Sequence, residues 1–496
     1  MVEQNDLRNE ILDILYDSDL VPDVEALERI LSMPEPLSFA KMISQKYNSK
    51  YLTHKDIECV IFSVNKEVIG NVGEDWNVVC HTKEIPATAP CKPSTESYSK
   101  LFMDRYIKIK KMLVAAGAKP ISIRTLKKLR ANTENRMIIG IVSDVQDVKS
   151  RDAWILKVED DSEDTVDIWV KKSTARYFFP DEVVGFKGSL RGDAERPIFY
   201  ANEVVHPDIP VKRNLASSKK PVGVIFISDI HVGSKTFLKD VFERFVTWLS
   251  SDDPYARSTD YLIVTGDLVD GIGIYPSQED ELEIEDIYEQ YAELARMLSK
   301  IPERIKILAI PGNHDAVRQA EPQPPLPEEI TKMFKNNFRC YSNPSLLSIE
   351  GVKILLYHGR SFDDLVEHGT PYLSYSRPGF LMQELLKRRH LAPVYGGKTP
   401  IAPMGYDALV ISDIPDIFVS GHVHTRDAIQ YRGVTIINAS TWQSQTEYQK
   451  QTNLTPVPAH AIYYRLDTNE IKDLCFLSDD IYQGTACDPY KSEKSQ

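Results

Sequence analysis

The sequence predicts a multi-domain protein in which a small helical region, a five-stranded β-barrel and an α/β sandwich follow one another. The chain has 496 residues, which is more than one hydrophobic core ordinarily serves, and a prior of about 150 residues per domain suggests two to four domains. The spacing of apolar residues also changes twice along the chain. It is helical near the N-terminus, alternates over residues 136–205, and then becomes a succession of apolar strands and amphipathic helices.

Composition narrows the class of protein. The 59 Lys and Arg against 72 Asp and Glu give a net charge of −13, which argues against extensive wrapping of nucleic acid but leaves room for a local basic channel. The 6 cysteines include no closely spaced pair, so neither a zinc knuckle nor a disulfide framework is indicated. With no signal peptide and no long apolar run, we expect a soluble, cytoplasmic protein.

Residues 1–65 are predicted to form a helical interaction domain. Leu7, Ile11 and Leu15 begin a series of apolar residues at helical spacing, and Thr53 is a candidate N-cap for a fourth helix. No residue type in this region suggests catalysis. Residues 66–97 lose the periodicity and collect glycine and proline, so we expect a flexible linker there.

Residues 98–210 are predicted to hold a helix over 98–116 and then five short strands. A helical link near residues 173–179 would follow the third strand, which is the order expected of an OB-fold barrel. Such barrels often bind single-stranded nucleic acid. The acidic cluster of Glu159, Asp160, Asp161 and Asp164 disfavours this, so contact with another protein is at least as strong an alternative.

Residues 211–478 are predicted to form the α/β domain, and residues 479–496 a polar tail. The acidic stretch 271–293 is interpreted as a long helix with a solvated outer face. Five apolar strands of this domain end in tight turns that carry carboxylate, amide or imidazole groups. In order, these residues are Asp229 and His231, Asp267 and Asp270, Asn313 with His314 and Asp315, His358, and His422 with His424.

This pattern predicts a metal site. Residues i and i+2 of an extended segment point the same way, and adjacent glycines such as Gly266 and Gly312 allow close approach of the chain. Oxygen and imidazole ligands without thiolates suit manganese, iron or zinc, and so many imidazoles disfavour magnesium. Two ions about 3.5 to 4 Å apart need a shared carboxylate, and Asp267 is the natural bridge.

The remaining ligands divide between two ions. Asp229, His231 and His424 are assigned to one, and Asn313, His358 and His422 to the other. His314 is left without a metal, so it is the candidate to neutralise phosphoryl oxygens and to protonate a leaving group in phosphoester hydrolysis. Asp315 or Asp270 would orient it, although either residue could instead cap a turn.

The ordered motifs SDIH, GDLVD, GNHD, YHG and GHVH resemble those of the calcineurin-like metallophosphoesterase superfamily, over about 250 residues. The domain order, together with the stretch MQELLKRRHLAPVYGGKTPIAP at residues 382–403, resembles the small subunit of archaeal family-D DNA polymerase. The resemblance implies a four-layer α/β sandwich and a manganese-dependent 3'-5' proofreading exonuclease. It implies as partners a large catalytic polymerase subunit and DNA with a single-stranded or mismatched 3' end, and it admits a sliding clamp.

We therefore expect a two-metal DNA exonuclease that serves as the small subunit of a replicative polymerase. The alternatives are a free-standing phosphodiesterase or phosphatase and a catalytically silent, architectural polymerase subunit. Gly271 stands where many phosphatases of the superfamily have an arginine that holds substrate oxygens, which makes a small phosphomonoester a poorer candidate. The basic run Lys387, Arg388 and Arg389 would contact a polynucleotide backbone or else form a solvated helix face.

Overall fold

Two structural units make up the chain, residues 1–77 and residues 78–496. The computed structural model describes residues 2–18, 20–31, 36–46, 51–53, 57, 76–83, 85–86, 93–129, 133–191, 198–369, 371–451, 454–478 and 481. Within these residues, no helix combines the length and the apolar composition that crossing a membrane requires.

The first unit is helical, as the periodicity predicts. Its helices are α1 (Val2–Tyr16), α2 (Val24–Leu31) and α3 (Pro36–Lys46), and its strands β1 (Val21–Pro22) and β2 (Tyr51–Leu52) pair in parallel. Ile11, Leu15 and Ile30 are among the side chains that form its core. The predicted fourth helix lies outside the described residues except for Thr53 and the buried Ile57.

The barrel of the second unit follows two helices, α4 (Thr95–Ala115) and α5 (Ile123–Lys127). Ser94 caps α4 through a reciprocal hydrogen-bonded box with Ser97. Five strands then close in the order β4, β5, β6, β8, β7, around a core that includes Leu156, Ile168 and Phe186. The strands are β4 (Thr133–Val148), β5 (Ala153–Glu159), β6 (Thr165–Lys171), β7 (Val183–Arg191) and β8 (Ile198–Val205).

The predicted helical link between the third and fourth barrel strands is wrong. The segment between β6 and β7 contains turns and extended backbone but no helix. Phe178 packs into the barrel core while Phe179 packs into a separate core cluster, and only an extended backbone sends successive side chains to opposite sides. Pro180 also disfavours a helical conformation at Phe179. The strand number and the closure match the predicted barrel, and its assignment as an OB fold stays a prediction.

Two six-stranded mixed sheets form the rest of the second unit. The first sheet has the order β12, β11, β10, β9, β18, β19, and the second has the order β16, β17, β15, β14, β13, β3. The first sheet consists of β9 (Gly223–Ile227), β10 (Thr259–Thr265), β11 (Lys306–Ile310), β12 (Phe338–Cys340), β18 (His460–Arg465) and β19 (Ile471–Cys475). The second consists of β3 (Val78–Cys80), β13 (Ser345–Ile349), β14 (Val352–Leu356), β15 (Ile417–Ser420), β16 (Arg426–Tyr431) and β17 (Val434–Ala439).

Helices cover the outer face of each sheet. Phe242 of α6 and Leu294 of α8 share a core with the first sheet, whereas Leu365 of α10 and Leu385 of α11 share a core with the second. The inner faces meet, with the Thr435 hydroxyl of β17 3.4 Å from the Tyr464 hydroxyl of β18. This gives the α/β sandwich that the sequence predicts. Its helices are α6 (Lys239–Trp248), α7 (Pro254–Arg257), α8 (Ile287–Leu298), α9 (Glu328–Thr331), α10 (Phe362–Gly369), α11 (Pro378–Arg388) and α12 (Glu447–Gln451).

Two further expectations differ from the structure. Part of the predicted linker 66–97 is ordered, because β3 (Val78–Cys80) pairs with β13 as an edge strand. The acidic stretch 271–293 is mostly loop, since α8 begins only at Ile287, where the Asp286 side chain caps it. Gly271 and Gly273 adopt positive φ upstream, which a continuous helix excludes. The predicted tail 479–496 lies outside the described residues except for residue 481.

Candidate metal centre

The predicted ligands converge at the carboxyl ends of strands from both sheets. Turns after the parallel strands β9, β10 and β11 of the first sheet carry Asp229, Asp267 and Asn313, and turns after β14 and β15 of the second carry His358 and His422. The carboxyl ends of neighbouring parallel strands meet at one edge of a sheet. The face-to-face packing then brings the two edges together, so all five turns surround one site.

The turns hold the ligands in an uncommon backbone conformation. Five of the predicted ligands have φ between 49° and 70°, in the left-handed region that non-glycine residues rarely adopt. They are Asp229, His231, Asp267, His422 and His424. Gly312 lies so close to the Asp267 side chain that no Cβ would fit there, as the sequence predicts. Such conformations persist only where the surrounding structure enforces them, and they concentrate at functional sites.

The first group of ligands contains Asp229, His231 and His424. The Nε2 atom of His424 lies 3.3 Å from Asp229 Oδ1 and 3.1 Å from His231 Nε2. The His231 Nε2 atom lies 3.8 Å from the same carboxylate oxygen. All three side chains are buried, and their ligand atoms fit around a single ion.

The second group lies on the other side of Asp267. The Nε2 atom of His358 lies 3.1 Å from Asn313 Oδ1 and 3.3 Å from Asp267 Oδ2, and His422 completes a metal-sized cluster with Asp267 and His358. Asp267 Oδ2 also lies 3.7 Å from His231 Nε2 of the first group. This carboxylate therefore stands between the two groups, where a bridging ligand would have to be.

Hydrogen bonds fix which nitrogen of each ring faces the site. His358 Nδ1 lies 2.9 Å from the Thr265 carbonyl oxygen, so Nδ1 carries a proton, and Nε2 is the ring nitrogen that faces Asn313 and Asp267. His231 Nδ1 likewise bonds the Asp270 carboxylate at 2.9 Å. Asp229 Oδ1 is buried and lies 3.3 Å from His424 Nε2. Buried carboxylate oxygens and ring nitrogens that converge in this way are suited to hold a cation.

The charges of the site also favour cations. Burial alone would lower the pKa of His231, but hydrogen bonds to Asp229 and Asp270 outweigh it and raise the pKa to about 10. Burial opposes protonation of His358 as well, and the charge of Asp267 raises its pKa to about 9. The buried carboxylates thus draw protons onto the rings, and a metal ion would bind by displacing them.

His314 lies beside both groups without belonging to either predicted ligand set. Its Nδ1 atom bonds the main-chain oxygen of Asp270 at 2.7 Å, and its Nε2 atom lies 4.0 Å from Asp267 Oδ2. Burial lowers the pKa of His314 below its ordinary value. The ring is part-buried, with 14% of its side chain exposed.

The contacts of Asp270 and Asp315 differ from their predicted role of orienting His314. The Asp270 carboxylate holds His231, and only the main-chain oxygen of this residue holds His314. The Asp315 carboxylate accepts hydrogen bonds from the Leu268 and Gly312 amides and from the Tyr291 hydroxyl. Burial raises its pKa to about 7. Asp315 therefore caps the turn, which is the alternative role that the sequence left open.

Comparison with known proteins places the chain in a family. Residues 224–428 match the family model that describes the B subunits of DNA polymerases alpha and epsilon. The DNA polymerase II small subunit of Archaeoglobus fulgidus is 42% identical over 391 residues, which cover 77% of this chain and 78% of that protein. The small subunit of Thermoplasma acidophilum is 41% identical over 383 residues, 76% of this chain and 77% of that one. The chain belongs to the small subunits of archaeal family-D DNA polymerase, as its motifs predict.

Three side chains that support the ligands of this small subunit lie outside the strand-end pattern. Asp363, in the first turn of α10, has Oδ2 3.3 Å from His422 Nε2. Gln449 of α12 has its amide nitrogen 2.8 Å from His424 Nδ1, and the Gln443 amide lies 3.3 Å from Asp270 Oδ1. Because these residues come from helices and loops, neither their position nor their spacing in the sequence marks them. For Asp363 alone, the sequence gives a weak indication, because this residue follows the predicted ligand His358 by only five positions.

The predicted contact of Arg388 and Arg389 with a DNA backbone is wrong for this small subunit. Both side chains are buried, with exposures of 3% and 5%. Arg388 pairs with Glu182 and Glu384, and Arg389 donates to the main-chain oxygens of Ile411 and Ser412. Since their donors are used internally, neither arginine is available for a phosphate.

Proposed function

We propose that this family-D small subunit is a 3'-5' proofreading exonuclease that hydrolyses DNA phosphodiesters with two divalent ions. Manganese is the first candidate, with iron or zinc as alternatives. The observation that carries the proposal is the pair of buried ligand groups that share Asp267, with His314 beside them. Buried carboxylates and imidazoles that converge from five turns support the proposal of two bound cations.

The residues divide the chemical work. Asp229, His231 and His424 would hold one ion, and Asn313, His358 and His422 the other, with Asp267 between them. When bound, two such ions neutralise the charge on a phosphoryl group and lower the pKa of a water. The Asp270 carboxylate and the Thr265 carbonyl oxygen orient the rings of His231 and His358, so the ligands need no rearrangement to bind.

His314 has the geometry of a proton donor to the leaving oxygen. When the ring is protonated, Nδ1–H donates to the Asp270 carbonyl oxygen and Nε2–H remains free to point into the site. Burial lowers the pKa of His314, and the charge of Asp267 together with the contact to the Asp270 carbonyl oxygen only partly offsets it. We therefore expect hydrolysis to slow as the pH rises through the pKa of His314.

The test is digestion of a primer with a mismatched 3' end by the purified chain in manganese. We expect stepwise removal from the 3' end that Asp229→Ala abolishes and that His314→Ala slows by about 10²- to 10⁴-fold. His368→Ala is the matched control. His368 also bonds a main-chain oxygen through Nδ1, at 2.9 Å, but it lies on α10 and belongs to neither ligand group.

The rival functions give different results in the same assay. Hydrolysis of small phosphoesters without digestion of the primer would support a free-standing phosphoesterase. Manganese binding without any hydrolysis would support an architectural subunit.

We propose the large catalytic subunit and a frayed or mismatched 3' end of DNA as the partners, in the cytoplasm. The sequence resemblance admits a sliding clamp as well. A pull-down from the extract of the source cells tests the first partner. Failure to capture a large polymerase subunit would contradict the proofreading role even if the nuclease is real.

A further inference from the structure

The outer face of the barrel carries four side chains in a continuous row, which we name the aromatic row: Arg151, Trp169, Tyr200 and Arg191. Trp169 of β6 and Tyr200 of β8 are direct neighbours in the register of the two strands, and their ring centroids are 6.1 Å apart with a tilt of 30°. The guanidinium of Arg151 lies over the Trp169 ring, 5.4 Å from its centroid, and that of Arg191 lies over the Tyr200 ring, 5.6 Å from its centroid.

The alternation of strand residues turns the two rings outward. Ile168, Val170 and Phe199 point into the barrel and are buried, so their neighbours Trp169 and Tyr200 must lie on the opposite side of the strands. Tyr200 is 36% exposed and Trp169 is half-buried. Paired aromatic rings that contribute nothing to the core are the kind of surface that binds a partner.

The charges at the ends of the row are available. Neither Arg151 nor Arg191 has an ion-pair partner within the described part of the chain. The nearest acid on the same face of β6 is Asp167, and it stands opposite Lys157 in the register of β5 and β6. Lys171, two residues beyond Trp169, adds another exposed cation. The surroundings of the rings are therefore basic although the whole chain is acidic.

Two of the four acids that argued against nucleic acid, Asp161 and Asp164, are paired with cations within the protein. Asp161 pairs with Lys110 at 2.8 Å, and Asp164 pairs with Arg124 at 2.9 Å and with Lys127 at 3.1 Å. The turn that carries these two acids also lies at the far end of the β5–β6 hairpin, about 13 Å from Trp169 at roughly 3.3 Å per residue. It therefore does not oppose an anion at the aromatic row.

We infer that the aromatic row is a binding subsite for single-stranded DNA. Unpaired bases stack on Trp169 and Tyr200 in place of the guanidinium groups of Arg151 and Arg191, which move off the rings to contact the phosphates on either side. Two aromatic rings flanked by two arginines match a strand whose bases are flanked by phosphates. Duplex bases are stacked on one another and do not offer their faces, so this surface selects single strands. The inference rests on membership of a DNA polymerase family and requires no hydrolysis.

Binding of a fluorescein-labelled oligothymidylate tests it, with the full chain in a chelating buffer so that no DNA is cut. We expect Trp169→Ala and Tyr200→Ala each to weaken binding by about five- to hundredfold, the usual effect of a stacking ring, and Trp169→Phe to retain most of it. Tyr288→Ala is the matched control, since Tyr288 is a 44% exposed tyrosine on α8, and it should bind like the wild type.

Two further measurements are specific to the inferred contacts. Replacing both Arg151 and Arg191 by Gln should reduce the slope of log affinity against log salt by about 1.4, as for two lost phosphate contacts on a single strand. Binding should also quench a fluorescence component that is present in the wild type and absent in Trp169→Phe. This last comparison needs no destabilising variant, so it decides the question even if the alanine variants fold poorly.

The inference is overturned if Trp169→Ala and Tyr200→Ala bind the oligonucleotide like the wild type, or if blunt duplex binds as tightly and through the same residues. It is also overturned if these variants lose the large subunit but keep their affinity for the oligonucleotide, because the row is then a protein-docking surface. Because the chelating buffer prevents hydrolysis, the binding assay reports on the aromatic row independently of the candidate metal centre. Loss of hydrolysis and loss of the subsite are thus separate results.

Discussion

The second unit buries charged groups in two places, and their contacts differ. At the candidate metal centre, the carboxylates of Asp229 and Asp267 face histidine rings, which are cationic only when they are protonated. At the contact between barrel and sandwich, the guanidinium of Arg388 lies between Glu182 and Glu384, with Nε 2.6 Å from Glu182 Oε2. It also packs 4.3 Å from the centre of the Phe179 ring. We name this second group the Arg388 cluster.

Burial of charge alone does not mark a functional site. The Arg388 cluster contains its own cation, so it is complete as folded and holds the barrel against α11. The candidate metal centre buries its aspartates and most of its histidines equally deeply. Among its described residues there is no permanently charged cation, so its positive charge has to come from protons or from bound ions. A buried charged group that lacks a fixed partner is therefore the better indicator of function.

The largest effect is expected from Asp267→Asn, which removes the charge shared by both ligand groups. Hydrolysis should fall at least about 10³-fold, equal to a loss of about 4 kcal/mol of transition-state stabilisation. Single-turnover digestion of a mismatched primer measures it. Asp413→Asn, at an aspartate whose side chain is 60% exposed, is the control, and equal rates for both variants would exclude the shared-carboxylate arrangement.

Arg388→Ala tests whether the Arg388 cluster stabilises the fold. It leaves Glu182 and Glu384 buried without their cation, so the free energy of unfolding should fall by about 3 to 5 kcal/mol. Urea denaturation measures this loss. Arg257→Ala should cost less than about 1 kcal/mol, because its pair with Asp252 is exposed. Similar losses in the two variants would show that the cluster does not hold the domains together.

Glu321 is a buried acid outside the candidate metal centre and the Arg388 cluster, and its pKa is raised. Its Oε2 atom accepts a hydrogen bond from the Tyr357 hydroxyl at 2.9 Å, and burial raises its pKa from 4.5 to about 7. The folded state thus binds the proton more tightly than the unfolded state does. The stability from this group is complete below pH 4.5 and is lost as the pH rises through about 7.

Glu321→Gln should therefore stabilise the protein at pH 8 by about 3 kcal/mol and flatten the pH dependence between 4.5 and 7. Thermal unfolding across this range measures both effects. Glu303→Gln, at an exposed glutamate, should leave the pH profile as it is. A wild-type stability that does not fall between pH 5 and 8 would argue against a protonated Glu321.

The smallest effect is expected from Asp363→Asn. The variant weakens the contact that orients His422, so manganese affinity of the second ligand group should fall about 10- to 100-fold. Calorimetric titration of manganese measures it. Glu367→Gln changes an exposed acid on the same helix and should bind manganese normally. Unchanged affinity in Asp363→Asn would mean that the turn after β15 orients His422 unaided.

The ligand residues were predictable from sequence, but the residues that support them were not. An apolar run that stops at a polar turn is a local signal, and parallel strands bring such turns together, so the set from Asp229 to His424 follows from the order of residues alone. Its binding of metal stays a prediction. Asp363 and Gln449 reach the site because α10 and α12 pack beside it, which no local pattern encodes. The prediction of a long helix over 271–293 was wrong because it relied on the charge of this stretch. The charge suggested a solvated helix, whereas the positive φ angles of Gly271 and Gly273 require a loop.

The sequence by itself determined the order of the domains, the strands and the convergence of seven candidate ligands, because hydrophobic period and turn chemistry are local properties. Only the tertiary structure decided which charges are satisfied. It buried Arg388 between two acids instead of exposing it to DNA. It also paired Asp161 and Asp164 of the barrel with three cations, and it placed an arginine over each of the outward-facing rings of Trp169 and Tyr200. The partner of a charged side chain usually lies far away in sequence, and only packing of the whole chain selects it.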